Sequence, residues 1–183
     1  TNAHNYQREL NLENAICSVQ FQPFKECIEK RQFFCSAVDD VFVMHLKRLG
    51  CEYEKLRIKL DSKLKHSVKK NNDGLELQGE IPVNVIWPEV DGRFKQGEGR
   101  YYVHIDGNNY TIGLKIQTDG SRVKHEEGSL VVGKTEELLI LITIATSQEI
   151  SDPSLECRNR LIAASKKEFK NLKADHIAEY QKF

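Results

Sequence analysis

The sequence predicts a mainly β protein. Residues 1–149 read as an antiparallel β-sandwich, and residues 150–183 as a tail of two helices. Three observations carry this. Apolar residues recur at every second position in several short segments, the mark of strands with one wet face. Turn residues separate eight to eleven such segments, a number and spacing that suit a sandwich. From residue 151 the apolar period changes from two to that of a helix.

Taken in chain order, Val41-Phe42-Val43-Met44 is apolar at successive positions and reads as an interior strand covered on both faces. In Leu56-Arg57-Ile58-Lys59-Leu60, apolar residues alternate with cations. Lys63 to Lys70 is cationic but carries no interleaved aromatic residues, so it suits a solvated edge strand better than a polyanion-binding patch. Asn71-Asn72-Asp73-Gly74 reads as a turn before a strand with Leu75 and Leu77. Pro82 to Gly99 has no periodicity, holds the single Trp (Trp87), and is long for a loop in a compact domain. Asp106-Gly107-Asn108-Asn109 is expected to be a hairpin turn between strands at Tyr101–Ile105 and Tyr110–Ile116, because Gly accepts the positive φ of primed turns. Thr118-Asp119-Gly120-Ser121 is a second turn of that kind, and Leu138 to Ile144 a second interior strand.

Ser151-Asp152-Pro153 is a helix start: a capping side chain, then a proline whose missing N–H costs nothing in the first turn. Leu155, Arg158, Leu161 and Ile162 follow at helical spacing. A second helix carries Phe169, Leu172, His176 and Tyr180 along one stripe, with Lys166-Lys167 marking the break between the two.

Composition excludes several classes. The 183 residues carry 27 basic and 27 acidic side chains, so no global positive field draws nucleic acid or an anionic membrane. The longest apolar run, Leu138 to Ile142, falls far short of the roughly 20 residues of a membrane helix. Neither nucleic acid nor a membrane is therefore expected as a partner. The start, Thr1-Asn2-Ala3-His4, has no basic or apolar region of a signal peptide. The five cysteines (17, 27, 35, 51 and 157) contain no C-x-x-C pair and are expected to be small buried hydrophobes, which leans weakly towards the cytoplasm and leaves an exported parent protein as the alternative.

Catalytic patterns are absent: no G-x-S-x-G, no Gly-rich phosphate loop, no H-E-x-x-H and no EF-hand loop. Neither a metal nor a cofactor is expected. Glycosidic cleavage needs two carboxyls across a bond, but Asp39-Asp40 and Glu126-Glu127 are adjacent, and neighbours in a strand face opposite ways. They read as turn and surface charges. Trp87, Tyr101 and Tyr102 are the candidate sugar-binding residues, since an aromatic face packs on the C–H face of a pyranose; a core or loop-anchoring role is the plainer reading.

Several strings resemble one family. Tyr6-Gln7-Arg8-Glu9-Leu10-Asn11-Leu12-Glu13-Asn14-Ala15 is similar to a stretch of the N-terminal domain of glycoside hydrolase family 95, which contains α-L-fucosidases. Lys30 to Asp40, Ile144-Ala145-Thr146-Ser147, Cys157-Arg158-Asn159-Arg160-Leu161 and Asp175-His176-Ile177-Ala178-Glu179-Tyr180-Gln181 resemble further segments in the same order. The sequence departs from the family at Gln32, Asn84, Glu168 and Glu179, where the family has Glu, His, Ser and Asp. The resemblance implies a super-sandwich fold and a helical linker leading to an (α/α)6 catalytic barrel, the domain's partner in the full protein. That barrel carries the acid and the water-activating groups, so no catalytic residue is implied within these 183 residues. It also implies that residues 1–183 are an excised part of a longer enzyme, inactive alone, with the stripe Phe169, Leu172, His176 and Tyr180 partly exposed until the barrel covers it. The alternative reading is an autonomous carbohydrate-binding module built on Trp87, Tyr101 and Tyr102.

Overall fold

The computed structural model describes residues 3–71, 74–86 and 101–182, with 82–86 and 101–107 described by their backbone alone. Among the described residues the chain forms eleven strands and then two helices. The strands are β1 (His4–Asn11), β2 (Ile16–Phe24), β3 (Cys27–Ser36), β4 (Val41–Leu49), β5 (Leu56–Lys59), β6 (His66–Asn71), β7 (Gly74–Ile86), β8 (Tyr101–Thr118), β9 (Val123–Glu126), β10 (Ser129–Val132) and β11 (Glu137–Thr146). The helices are α1 (Pro153–Ala164) and α2 (Phe169–Tyr180).

An eight-stranded sheet runs β1-β2-β3-β4-β11-β8-β7-β6, and a three-stranded sheet runs β5-β10-β9. Every neighbouring pair is antiparallel. The predicted interior strands β4 and β11 lie side by side in the middle of the large sheet. The cationic segment forms β6 and is an edge strand, as its composition predicts.

Alternation along the central strands separates two cores. On one face Ile16, Phe34, Val41, Val43, Leu139 and Leu141 pack with Leu161, Ala164 and Leu172 of the helices. On the other, Leu75, Leu114, Ile116, Leu138 and Ile140 pack with Leu130 and Val132 of the small sheet. Leu138 and Leu139 thus point into different cores, the consequence of a side-chain period of two.

Asp152 caps α1, its side chain accepting from Leu155 N–H at 2.9 Å, with Pro153 in the first turn. α1 lies over β8 and β11 at Gly113, where a Cβ would sit 2.8 Å from Leu161 Cδ1 and 3.3 Å from Cys157 Cβ. A side chain there would lift the helix. Glu168 stands at the start of α2 without a side-chain capping bond.

Four expectations are corrected. Asp106-Gly107 does not end a strand. β8 runs on from Tyr101 to Thr118, and between the pairs Glu80↔Asn109 and Pro82↔His104 it advances five residues while β7 advances two. The turn-forming residues are absorbed in a bulge, where the local chemistry of a turn serves equally well. Thr118 to Ser121 does turn the chain, but it carries it from the large sheet to the small one, because β9 pairs with β10 and not with β8. The aperiodic segment begins later than read, since Pro82 to Ile86 belong to β7 and a register shift falls at Pro82. The cysteines are not all free: Cys27 and Cys51 form a disulfide with Cα atoms 5.5 Å apart. The hairpin of β3 and β4 brings the two together. Gly50, at φ +80°, lets the chain after β4 pass close to the carbonyl of Glu26, where a Cβ would be only 2.3 Å from the oxygen.

Candidate functional site

The helix-covered face of the large sheet holds most of the polar machinery. β4 and β11 pair Lys47 with Glu137 and His45 with Leu139, so His45, Lys47 and Glu137 share that face. His45 Nε2 donates to Glu137 Oε1 at 2.7 Å, and Lys47 Nζ donates to Glu137 Oε2 at 2.6 Å. The imidazole stacks on Phe169 of α2, with ring centroids 3.8 Å apart. Burial lowers the His45 pKa more than the Glu137 carboxylate raises it. Burial also works against ionised Glu137, but the bonds from Lys47 and His45 outweigh it and hold the carboxyl below its ordinary range.

Next to this cluster a groove of about 560 Å³ opens at the corner between α1 and α2. Glu137 and Asp119 both line it. Asp119 accepts from Thr135 Oγ1 at 2.7 Å, Ser121 Oγ at 2.8 Å and Glu136 N–H at 3.2 Å. Those bonds prevail over burial, and its pKa is also lowered. A glycosidic general acid needs a carboxyl held protonated near neutral pH, which means a raised pKa. Asp119 and Glu137 are driven the other way, and Glu168, the third acidic residue of the groove, pairs with Lys170 at 2.9 Å.

The adjacent acidic pair at 39 and 40 lies in the turn between β3 and β4, and its two side chains part there, with Asp40 at φ +52°. Asp39 accepts from Ser36 Oγ at 2.9 Å and pairs with Lys167 at 2.7 Å. Asp40 turns outwards to Arg160 at 3.7 Å. Lys167 also holds Asp175 of α2 at 2.7 Å, so one ammonium ties the helix corner to the β3–β4 turn. Glu126 pairs with Arg57 at 3.2 Å and Lys55 at 3.6 Å. Each of these carboxylates is neutralised by a cation rather than aimed at a partner carboxyl.

On the opposite face of β3 and β4 lies a cluster the sequence reading did not single out. Glu29 is 1% exposed and accepts from Arg31 Nε at 2.7 Å and Arg48 Nε at 2.9 Å. The Arg48 guanidinium lies 4.0 Å from the centre of the Tyr53 ring. The signal was in the Ser36↔Val41 turn, whose register puts Glu29 opposite Arg48.

Among the predicted site residues, Trp87 lies outside the described residues. Tyr101 and Tyr102 begin β8, in register with Ile86 and Val85 of β7. The helical stripe is exposed at one end only: Tyr180 is exposed and Phe169 half-buried. Leu172 and His176 are buried against the sheet, with His176 Nε2 donating to the Asn14 carbonyl at 2.9 Å and its ring stacked on Phe34. On α1 the buried positions are Cys157, Leu161 and Ala164, and Leu155 and Ile162 remain 48% and 46% exposed. The apolar surface turned to solvent is therefore the α1 side carrying Leu155 and Ile162 together with Tyr180 at the end of the α2 stripe, which is 37% exposed, while Leu172 and His176 serve this domain's own core. Among the described residues no group of three or more His, Cys, Asp or Glu could hold a metal ion, and no helix is long and apolar enough to cross a membrane.

Comparison with known proteins agrees with this sheet-and-helix fold. Residues 1–149 match the family described as glycosyl hydrolase family 65, N-terminal domain. A relative named alpha-L-fucosidase 2, from Arabidopsis thaliana, is 23% identical over 97% of this chain. A solved structure described as a putative kojibiose phosphorylase from the human microbiome superposes with a TM-score of 0.66 at 10% identity over 98% of this chain, a likeness of fold. The chain spans 22% of the length of the first and 25% of the second. The resemblance read from the sequence thus reaches the right kind of domain, a glycoside hydrolase N-terminal domain with a fucosidase-like relative, while the matching family is numbered 65 and not 95. The chain belongs to the glycosyl hydrolase family 65 N-terminal domain family.

Proposed function

We propose that this chain is a non-catalytic part of the N-terminal super-sandwich of a family 95-like glycoside hydrolase, an α-L-fucosidase or related exo-glycosidase. It scaffolds an (α/α)6 catalytic barrel that follows the helices. Residues 1–149 form the sandwich and 150–183 the linker towards the barrel. The observation that carries the reading is the match to alpha-L-fucosidase 2, which runs through the sheet and both helices yet takes up only 22% of that protein. The carboxylates support it, since Glu137 and Asp119 of the corner groove are held ionised and Asp39 and Glu126 are each paired with a cation. The exposed Leu155 and Ile162 supply an apolar contact for the barrel.

The test has two arms. The full-length parent is assayed on an aryl α-L-fucoside and on α-glucosides, with and without inorganic phosphate. Phosphate-independent release of fucose with inversion supports the reading, and phosphate-dependent release of a sugar phosphate from an α-glucoside overturns the fucosidase assignment. Residues 1–183 alone are assayed on the same substrates. Turnover that disappears on mutation within this segment overturns the scaffold role. Titration of Trp87 fluorescence with L-fucose and oligosaccharides addresses the carbohydrate-binding alternative, because saturable, sugar-specific quenching in the isolated segment would make Trp87, Tyr101 and Tyr102 a binding platform.

A further inference from the structure

Asn109-Tyr110-Thr111 is the one Asn-x-Ser/Thr triplet in the sequence whose middle residue is not proline. We propose that Asn109 carries an N-linked glycan, and that the protein folds in an oxidising compartment where that glycan is added. Two independent observations support this. The first is the placing of the triplet. Asn109 is exposed on β8 beside the turn that leads into α1. Its backbone N–H donates to Ser147 Oγ at 2.9 Å and its carbonyl accepts from Ser147 N–H at 2.9 Å, so the residue is fixed through its backbone while standing in solvent. The second is the disulfide between Cys27 and Cys51. Such pairs form and persist in the secretory compartments, which are also where N-glycans are attached.

The fold also dictates when the transfer takes place. Tyr110 is 6% exposed and donates from its hydroxyl to Ser62 Oγ at 2.8 Å. Thr111 is 4% exposed, and its carbonyl accepts from Cys157 Sγ of α1 at 3.3 Å. A transferase must reach the Thr111 hydroxyl as well as the Asn109 amide, and the closed α1 prevents that. The glycan is therefore added while the chain is still extended, before α1 settles on the sheet. In the step itself, Asn109 Nδ2 attacks C1 of the sugar of a polyprenyl-diphosphate-linked oligosaccharide. The N–C1 bond forms, the C1–O bond to the diphosphate breaks, the diphosphate leaves with the electron pair, and the amide nitrogen loses one proton.

The parent protein, isolated from its own cells, is digested with trypsin and treated with peptide N-glycosidase in heavy-oxygen water. The expected result is a peptide containing Asn109 that is deamidated with incorporation of heavy oxygen. Recovery of that peptide only in its unmodified form overturns the proposal. Alkylation of the same preparation without reduction is expected to leave Cys27 and Cys51 unlabelled, and labelling of both overturns the compartment. Expression through the secretory pathway of a eukaryotic host adds the variants. Asn109→Gln should abolish the glycosidase-sensitive mobility shift and Thr111→Ser should keep it, whereas a shift that survives Asn109→Gln overturns the assignment. Because transfer precedes folding, a variant that fails to fold still reports on the site.

Discussion

Glu29 and Glu137 sit on opposite faces of the same few strands, each between two basic side chains. Glu29 is 1% exposed between Arg31 and Arg48, and the Glu137 side chain is 39% exposed between His45 and Lys47. The chemistry is nearly the same and the surroundings are not. A buried carboxylate has lost its water and depends wholly on its partners, so removing one member leaves an uncompensated charge. A half-exposed one keeps much of its hydration, and its ion pair contributes little. The inner pair locks the β3–β4 hairpin near the disulfide, and the outer pair trims the floor of a groove.

The sharpest way to break this comparison is Glu29→Gln. It strands two arginines, one of them half-buried over Tyr53, and is expected to cost about 3–5 kcal/mol of unfolding free energy. Urea titration of the purified domain reads this directly. A loss below about 1 kcal/mol would mean that Arg31 and Arg48 reach water when Glu29 is gone, and the contrast between the faces would fail. Next in size is Leu172→Ala, which removes a fully buried side chain where α2 meets β3. About 2–5 kcal/mol is expected, since Leu172 is the fully buried apolar side chain that α2 places in the core and its truncation leaves a cavity there. Should the loss be negligible, the stripe would not belong to this domain's core and would be free for a separate barrel to cover.

That stripe shows where the sequence was legible and where it was not. The interior strands at Val41–Met44 and Leu138–Ile142 could be read because consecutive apolar residues leave a strand no wet face, whereas Ile144, expected to be covered with them, is 56% exposed. The cap at Asp152 could be read because its chemistry is local. The burial of α2 could not, since helical periodicity tells which residues share a face and not what covers that face. On α1 helical spacing placed Leu155, Leu161 and Ile162 in the helix without telling which of them is buried, and the buried face proves to be Cys157, Leu161 and Ala164, with Leu161 and Cys157 over Gly113. Asp106-Gly107 was misread because turns and bulges ask for the same residues, and the long partner strand β7 decides between them. Glu29 stayed hidden because its partner Arg48 comes from the next strand. Of the candidate sugar-binding residues, Tyr101 and Tyr102 lie in β8, and Trp87 falls outside the described residues.

The outer cluster sharpens the comparison through pH. Glu137 has its carboxyl lowered from an ordinary value of 4.5, so its contribution is fully present above that pH and disappears as the pH falls through the folded value. His45, lowered from 6.5 chiefly by burial, acts in the same direction: below 6.5 the unfolded chain takes up a proton that the folded chain resists. Stability should therefore decline from pH 7 to pH 4. Glu137→Gln is expected to cost about 0.2–1 kcal/mol at pH 7, discounted for exposure. His45→Gln should flatten the part of the decline nearest pH 6. Chemical denaturation at stepped pH checks both, and an unchanged slope in His45→Gln would show that the imidazole does not titrate on unfolding.

The smallest expected effect is a difference in rate between two thiols, one on each side of the sheet. Cys35 shares the face of Glu29 on β3 and is exposed. Cys157 is buried beneath α1 with its Sγ on the Thr111 carbonyl, and burial pushes its pKa up to about 11. At pH 8 only about a thousandth of such a thiol is ionised, and the thiolate is the reacting form. The reagent must also wait for α1 to lift from Gly113, a local opening whose free energy is set by the helix–sheet contact. With an aromatic disulfide reagent under native conditions, Cys35 should react on mixing. Cys157 should react only as fast as α1 opens, and denaturant should bring it level with Cys35. Mass spectrometry of the labelled peptides assigns each phase. If Cys157 reacted alongside Cys35 in the native protein, α1 would not be held on the sheet, and the helix-covered face would be as open as the face that carries Cys35.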